Sequence, residues 1–262
     1  MRGLVNIGNT CYFNTSLQCL LQIPPLSNHF IRHGYDGSCE FTRAYANFVS
    51  RFWHAEDVGK PLDVRSLLDM FRRRFPRFTE GAQHDVQETI LCVIDILEQS
   101  VPELKPMFYG KKMQETIYPG GKTAREEDFS VHLVCSIVGK DFETMFKESL
   151  QWNTLTDYVD DAGKTHHVAT TRNVFTALPH VFMVSFDKKS FISVAEYIDI
   201  GGIKYHLVAA AAHVGIQWDG HYVAFTRHRE QWYYKNDGFV EAVELPRAGG
   251  FYFLIYVRNH LQ

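Results

Sequence analysis

Apolar residues recur with two different periods along this chain, and the change of period divides it. From Cys11 a helical spacing begins, with Tyr12, Ser16, Cys19, Leu20 and Ile23 on adjoining faces, and Pro24-Pro25 stops it. Phe41, Tyr45, Phe48, Val49, Phe52 and Trp53 fall at helical spacing and predict one apolar face. Asp63 reads as the N-cap of a further helix that turns Val64, Leu67, Leu68, Phe71 and Phe75 inward. Arg72-Arg73-Arg74 would be its solvated end, where cations suit the helix dipole. Gly81 to Glu88 forms a polar lead into Ile90, Leu91, Val93, Ile94 and Leu97, another helix. Residues 1 to about 105 are therefore predicted mostly helical.

Residues from about 106 to 175 are less periodic. Pro119-Gly120-Gly121 and Asp160-Asp161-Ala162-Gly163 are turn signals, and strand-like runs such as Phe129 to Val138 lie between them, so antiparallel hairpins are expected. From Val174 the pattern is β. Val181 to Phe186 is a buried strand, Tyr205 to Ala211 another, and a turn follows at Gly215 to Gly220. His221 to Phe225 and Gln231 to Lys235 predict a hairpin, and Phe251 to Val257 is expected to close the sheet.

Composition narrows the function classes. The 262 residues suffice for a real core, 45% are hydrophobic, and 20 Phe and 13 Tyr mark a globular chain. A net charge of -3 gives no reason to expect nucleic acid or an acidic membrane surface as partner. Five cysteines, with no C-x-x-C pair, argue against a disulfide framework and against a cysteine-based zinc site. Gln18 and Gln22 interrupt the only N-terminal apolar stretch, and Leu207 to Ala212 is too short to span a bilayer. The expectation is a reduced, intracellular protein.

The chemistry concentrates at three places. Cys11 follows a Gly- and Asn-rich turn and opens a helix, where the dipole and unpaired N–H groups favour the thiolate nucleophile. His221 starts a strand after a glycine-bearing loop, and Asn236-Asp237-Gly238 lies one hairpin later, so His221 can meet Asn236 or Asp237 across neighbouring strands. A cysteine nucleophile needs a base, and the base needs a third group that fixes its tautomer. Cys11, His221 and Asn236 (or Asp237) supply these parts if the fold brings the first helix against the last sheet. Asp85 and Glu88 suit the first turn of their helix, or form an acidic pair toward a basic ligand. His166-His167 lacks the companions of a metal site.

Gly3-Leu4-Val5-Asn6-Ile7-Gly8-Asn9-Thr10-Cys11-Tyr12-Phe13-Asn14 resembles the cysteine box of the ubiquitin-specific proteases, papain-like deubiquitinating enzymes. Gln83 to Glu88, Leu178-Pro179, Tyr205-His206-Leu207 through His213-Val214-Gly215, Gly220-His221-Tyr222, and Trp232 through Asn236-Asp237 and Val240 are similar to later motifs of that family, in the same order. The resemblance implies an α+β papain-like cysteine protease fold over residues 1–262 as one catalytic domain: helical thumb 1–105, β fingers 106–175, β-sheet palm 176–262. It implies Cys11 as nucleophile, His221 as base, Asn236 as third residue with Asp237 in support, and Asn6 as oxyanion donor. Asp85 would meet the basic tail of ubiquitin, helped by Glu88, while His213 and Tyr222 would line the channel for its terminal Gly-Gly. The implied partners are ubiquitin and ubiquitinated proteins, with the chain acting as a monomer in cytoplasm or nucleus and without nucleic acid or membrane.

Three departures from the family stand out. The third residue is Asn236 where Asp is commoner, and an amide gives the imidazolium less support. Near Tyr118 to Gly121 and Asp157 to Gly163, where the family usually carries two zinc-binding C-x-x-C pairs, there is no cysteine. No zinc and no cofactor are expected, and the fingers would be held by strand pairing. The stretch Ser190 to Lys204 is short where substrate-gating loops often lie, implying a more open pocket. The alternatives are a catalytically weak ubiquitin-binding module and a protease for a ubiquitin-like modifier.

Overall fold

A computed structural model describes all residues except 55–58, 137–139, 188–191, 217–218 and 260–262. Five longer helices come first: α1 (Cys11–Leu21), α2 (Pro24–His33), α3 (Glu40–His54), α4 (Arg65–Arg74) and α5 (Val86–Ser100). A 3-10 turn at Pro102–Leu104 and α6 (Lys105–Phe108) end this half. The first strands are β1 (Gly110–Tyr118), β2 (Gly121–Phe129) and β3 (Val131–Val134), followed by α7 (Phe142–Ser149). Then come β4 (Asn153–Val159), β5 (Thr165–Ala177), β6 (Val181–Phe186), β7 (Ile192–Ser193), β8 (Tyr197–Ile200) and β9 (Ile203–Ile216). The chain closes with β10 (Asp219–His228), β11 (Gln231–Asn236), β12 (Phe239–Val243), β13 (Ala248–Gly249) and β14 (Phe251–Arg258).

The strands form two main sheets. The larger runs β12-β11-β10-β9-β14-β6-β3, with β8 paired to β9 off that path; the smaller runs β2-β1-β5-β4. A two-stranded pairing joins β13 to β7. The large sheet is buried on both faces at its centre, which is why β6 reads as a run, Val181 to Phe186, that is apolar at every position but Ser185. One face meets the helices: Tyr222 and Ala224 belong to the same core as Tyr12, Leu17, Ile90 and Val93. The other face, with Val223, Leu254 and Phe182, meets Phe142 and Phe146 of α7. Helix α1 lies in the middle of the first core, and all eleven of its residues are buried, polar ones included.

The structure revises several expectations. Pro24 and Pro25 do not merely stop α1; they open α2, since proline at a helix start gives up an N–H that would be unpaired anyway. Asp63 sits one residue before the N-cap and accepts the Arg65 N–H at 2.7 Å, while Phe75 is the C-cap of α4 and not part of it. The stretch expected to hold only hairpins contains α7, capped by Asp141, whose side chain accepts the Thr144 N–H. The run Phe129 to Val138 splits: Phe129 ends β2, Val131–Val134 forms β3 parallel to β6, and Val138 lies outside the described residues. Phe251 to Val257 is not the closing edge but central, between β9 and β6. The turn expected over Gly215 to Gly220 is shorter than that span, since Gly215 and Ile216 belong to β9 and Asp219 and Gly220 to β10; residues 217–218 lie outside the description. Ser190, at the start of the short segment, lies outside it as well.

Candidate active site

The site forms where the N-terminus of α1 meets the rim of the large sheet. A short segment before α1 is threaded between two parts of the chain. Leu4 N–H donates to the Asp237 carbonyl at 2.8 Å, Val5 N–H donates to the Leu62 carbonyl, and Leu62 N–H donates back to Gly3. Gly3 is required here, because a Cβ would run into the Gly238 carbonyl. This threading ties the cysteine box to the turn that follows β11.

Asn6 organises the loop before Cys11. Its Oδ1 accepts from Gly8 N–H (2.9 Å), Thr10 Oγ1 (3.2 Å) and Thr10 N–H (3.4 Å). The loop turns through left-handed backbone at Gly8 (φ +106°) and Asn9 (φ +50°). Cys11 then starts α1. The backbone N–H groups of Tyr222, Tyr12 and Cys11 itself point at its sulfur. Tyr222 is the residue after His221, so the thiol is held against the strand that carries the histidine.

His221 and Asn236 meet as the hairpin reading allows. The strands β10 and β11 pair Ala224 with Lys235, and the His221 Nε2–H donates to Asn236 Oδ1 at 2.7 Å. The Asn236 amide nitrogen faces Tyr234 Oη at 3.5 Å, which leaves its oxygen toward the imidazole. With Nε2 engaged, Nδ1 is the nitrogen free to act as base. Asp237, at left-handed φ +48°, turns its carboxylate the other way: Oδ2 accepts from Asn6 Nδ2 at 2.7 Å and Oδ1 from Asn14 Nδ2 at 2.8 Å. It also stands 3.8 Å from His221 Nε2. The acid therefore spans the cysteine box and the histidine. The amide expected to hold an oxyanion has one N–H on Asp237 and keeps a second.

Electrostatics around Cys11 work against the thiolate as well as for it. Burial pushes the Cys11 thiol above the ordinary cysteine range, and the negative Asp237 adds to that, outweighing the three N–H groups. The helix start is real; the dry surroundings are stronger.

The residues expected to bind substrate fall on the opposite side of β10. Asp85 is the N-cap of α5, accepting Gln87 N–H at 2.8 Å and Glu88 N–H at 3.1 Å through Oδ1. Tyr222 Oη donates to its Oδ2 at 3.3 Å, and Tyr252 hydrogen-bonds it too. A carboxylate with four donors has its acceptor sites filled, so Asp85 anchors two tyrosines before it can meet a basic ligand. Glu88 is more accessible and pairs with Arg77 at 2.6 Å. The His213 ring stands edge-on to Tyr222, centroids 5.1 Å apart, and covers Gly220, where any Cβ would collide with it. His213 and Tyr222 thus close over Gly220, and the Tyr222 N–H reaches the Cys11 sulfur.

Asn14, Tyr252 and Lys235 were not among the expected site residues. Asn14 is three residues along α1 from Cys11, and its polarity at a buried helical position was the available signal. Tyr252 carries no signal, since its position depends on β14 being central. Lys235, 1% exposed, directly precedes Asn236; its Nζ donates to Gln18 Oε1 on α1 at 2.7 Å. Burial lowers its pKa to about 7.

The smaller sheet ends in two turns, at Tyr118 to Gly121 and Asp160 to Gly163. There Tyr118 lies against His166 (4.6 Å) and Tyr158 (5.3 Å), and His166 Nε2 meets Asp160 Oδ2 at 2.8 Å. None of these side chains is a cysteine. Among the described residues no three His, Cys, Asp or Glu side chains converge as metal ligands. No described helix is long and apolar enough to cross a membrane.

A mixed α+β fold with a cysteine at a helix start, packed on the strand that carries a histidine–asparagine pair, defines a papain-like protein. The model of the ubiquitin carboxyl-terminal hydrolase family matches residues 2–256, and the chain belongs to that family. It is 23% identical to ubiquitin carboxyl-terminal hydrolase 16 of Arabidopsis thaliana, over 98% of this chain and 30% of the relative. It is 27% identical to hydrolase 4 of Mus musculus, over 56% of this chain and 16% of that protein. The chain thus spans less than a third of the length of these curated relatives. Among solved structures, the SAGA Ubp8/Sgf11/Sus1/Sgf73 DUB module bound to ubiquitin aldehyde matches with a TM-score of 0.86 at 18% identity. That match covers all of this chain and 70% of the other, and shows the fold.

Proposed function

We propose that the chain is a thiol-dependent deubiquitinase that cleaves the isopeptide or peptide bond after the C-terminal glycine of ubiquitin. The observation that carries this reading is the 2.7 Å bond from His221 Nε2–H to Asn236 Oδ1, on the strand whose next N–H holds the Cys11 sulfur. Membership of the family supports the substrate class. The mechanism follows from the resting thiol. His221 Nδ1 takes the Cys11 proton as the sulfur attacks the glycine carbonyl carbon. The carbonyl oxygen becomes an oxyanion, facing the second Asn6 N–H and the Cys11 backbone N–H. The C–N bond breaks, and the imidazolium gives its proton to the leaving amine. Neutral His221 then takes a proton from water, which attacks the thioester; the C–S bond breaks and the thiol is restored.

In this reading residues 1–105 are a thumb, 106–175 fingers and 176–262 a palm, with β3 and α7 returning to the large sheet. Gly220, His213 and Tyr222 admit only Gly-Gly to the nucleophile. Asp85 fixes the two tyrosines that wall the passage, and Glu88 offers the reachable carboxylate for a basic tail. Asn236 orients the imidazole while Asp237 orients Asn6. All five cysteines are free, which suits a reducing compartment such as cytoplasm or nucleus. One chain supplies the whole triad, so a monomer suffices. The test is labelling by ubiquitin with a C-terminal electrophile, with a ubiquitin-like modifier probe alongside. A ubiquitin adduct that Cys11→Ala abolishes is the expected result. Binding of ubiquitin without any adduct would make the chain a binding module, and labelling by the modifier alone would change the substrate.

A further inference from the structure

The rim of the large sheet carries two exposed apolar side chains that neither the core nor the passage explains. Val214 is 54% and Phe239 57% exposed. Register places both beside the catalytic pair. Val214 is the direct partner of His221 across β9 and β10, and Phe239 the direct partner of Asn236 across β11 and β12. Directly paired residues of an antiparallel sheet share a face. His221 and Asn236 touch each other, so Val214, His221, Asn236 and Phe239 form a row on one face of the rim. His213 and Tyr222, one residue further along, point to the other face. Tyr234 supports the Phe239 ring from one side, centroids 6.4 Å apart, and the rest of the ring is open.

The chemistry says what this row would meet. His221 must hand its proton to the leaving nitrogen, so the leaving group lies on the histidine side of Cys11. The tail of the acyl group comes from the other face, through His213, Tyr222 and Gly220. Resting on the reading above, we propose that Phe239 and Val214 form an apolar shelf for the lysine-bearing side of the substrate. The methylene stem of the modified lysine and the apolar side chains next to it would lie on this shelf. Phe239 would then determine specificity for the leaving group, adding acylation rate only where the leaving group is long enough to reach it. The occupant is a polypeptide: a small leaving group would gain nothing.

The experiment compares kcat/KM, which reports acylation, on two substrates with the same ubiquitin. One is ubiquitin ethyl ester; the other is ubiquitin joined through its last glycine to the lysine ε-amine of a peptide. Phe239→Ser should lower the ratio of isopeptide to ester kcat/KM about five- to tenfold, and Val214→Ser about two- to threefold. Phe239→Leu should restore most of the loss. An unchanged ratio overturns the proposal. So does an equal fall on both substrates, which would mean that Phe239 supports the Asn236–His221 pair and not the substrate. A wild-type chain that hydrolyses neither substrate defeats the deubiquitinase reading itself, a different outcome from active wild type with an unmoved ratio.

Discussion

The two sheets of this protein are built on opposite principles. Strand β6 of the large sheet is buried at all six positions, and β14 is buried at six of its eight. In the small sheet, β2 has one buried residue in nine and β4 none in seven. Packing holds the first. Pairing holds the second: Glu115–Arg172 and Lys111–Glu126 link neighbouring strands across open surface, and the part-buried hydroxyls of Thr116 and Thr171 bond on the other face. The site stands on the rim of the dry sheet, so burial, more than neighbouring charge, sets its ionisation. The small sheet is open to solvent, and there a neighbouring charge does the shifting: the hydrogen bond between Lys111 and Glu126 raises the lysine's value and lowers the glutamate's.

The sharpest way to test this contrast is to remove equal chemistry from each sheet. Phe182, on β6, is fully buried among Phe129, Phe146 and Phe175. Phe182→Ala should cost about 3–5 kcal/mol by urea unfolding, through lost transfer energy and the cavity left behind. Ile117 on β1 is 49% exposed, and Ile117→Ala should stay within about 0.5 kcal/mol. Glu115→Gln, which breaks the Arg172 pair, should cost less than about 1 kcal/mol. A small-sheet loss as large as that of Phe182 would erase the distinction.

The next effect comes from a charge placed in the dry region. Lys235 titrates near pH 7 in the folded chain because burial opposes its charged form, against an ordinary lysine near 10.5. Between those values the unfolded chain binds the proton and the folded one does not, so stability from this group rises with pH. Below about pH 7 both states hold the proton and the full penalty remains. Wild type should gain on the order of 2 kcal/mol between pH 7 and 9 from Lys235. Lys235→Met should remove that part of the slope, measured as the difference between the two proteins at each pH. Equal slopes would mean that the ammonium is satisfied by Gln18 and Phe52 after all.

These two cases also show what could be read from the residues. Val181 to Phe186, Phe41 to Trp53 and the hairpin of His221 with Asn236 were legible because burial of one or both faces writes a period into the chain. The small sheet was legible only through its turns, since a strand wet on both faces has no hydrophobic period to display. Helix α7 was missed among those turns: it is eight residues long, and its apolar set is just Phe142, Met145 and Phe146. The centrality of β14 depends on which strands pair, which no local pattern records. At the site, residue types and order pointed to Cys11, His221 and either Asn236 or Asp237, and the family resemblance to Asn236. The sequence showed the helix start at Cys11 but not the burial around it, which raises the thiol's value against the pull of the helix N–H groups.

Asn236 and Asp237 divide the support of the site between a neutral group and a charged one. The amide holds the imidazole, and the acid holds the two asparagines of the cysteine box. Asn236→Ala should lower kcat at least tenfold, about 1.4 kcal/mol of transition-state stabilisation, by freeing the tautomer and orientation of His221. If Asp237→Ala is the more damaging, the carboxylate 3.8 Å from His221 is the third member of the triad.

The smallest expected shift is the most direct reading of the dry rim. A cysteine at a helix N-terminus beside a histidine is ordinarily expected to ionise early, with its titration below that of a free thiol near 8.5. Here burial comes first and Asp237 second in raising the Cys11 value, and the N–H groups of Tyr222, Tyr12 and Cys11 only moderate it. The rate of alkylation of Cys11 by iodoacetamide should therefore have its midpoint above 8.5 in the free protein, read against Cys11→Ala to subtract the other four thiols. Asp237→Asn removes the one negative charge that raises it, so the midpoint should fall, while burial keeps it from reaching the range of a thiolate–imidazolium pair. A wild-type midpoint below 7 would mean that His221 already holds the proton at rest, and that the charge pair, not the dry surroundings, governs the rim.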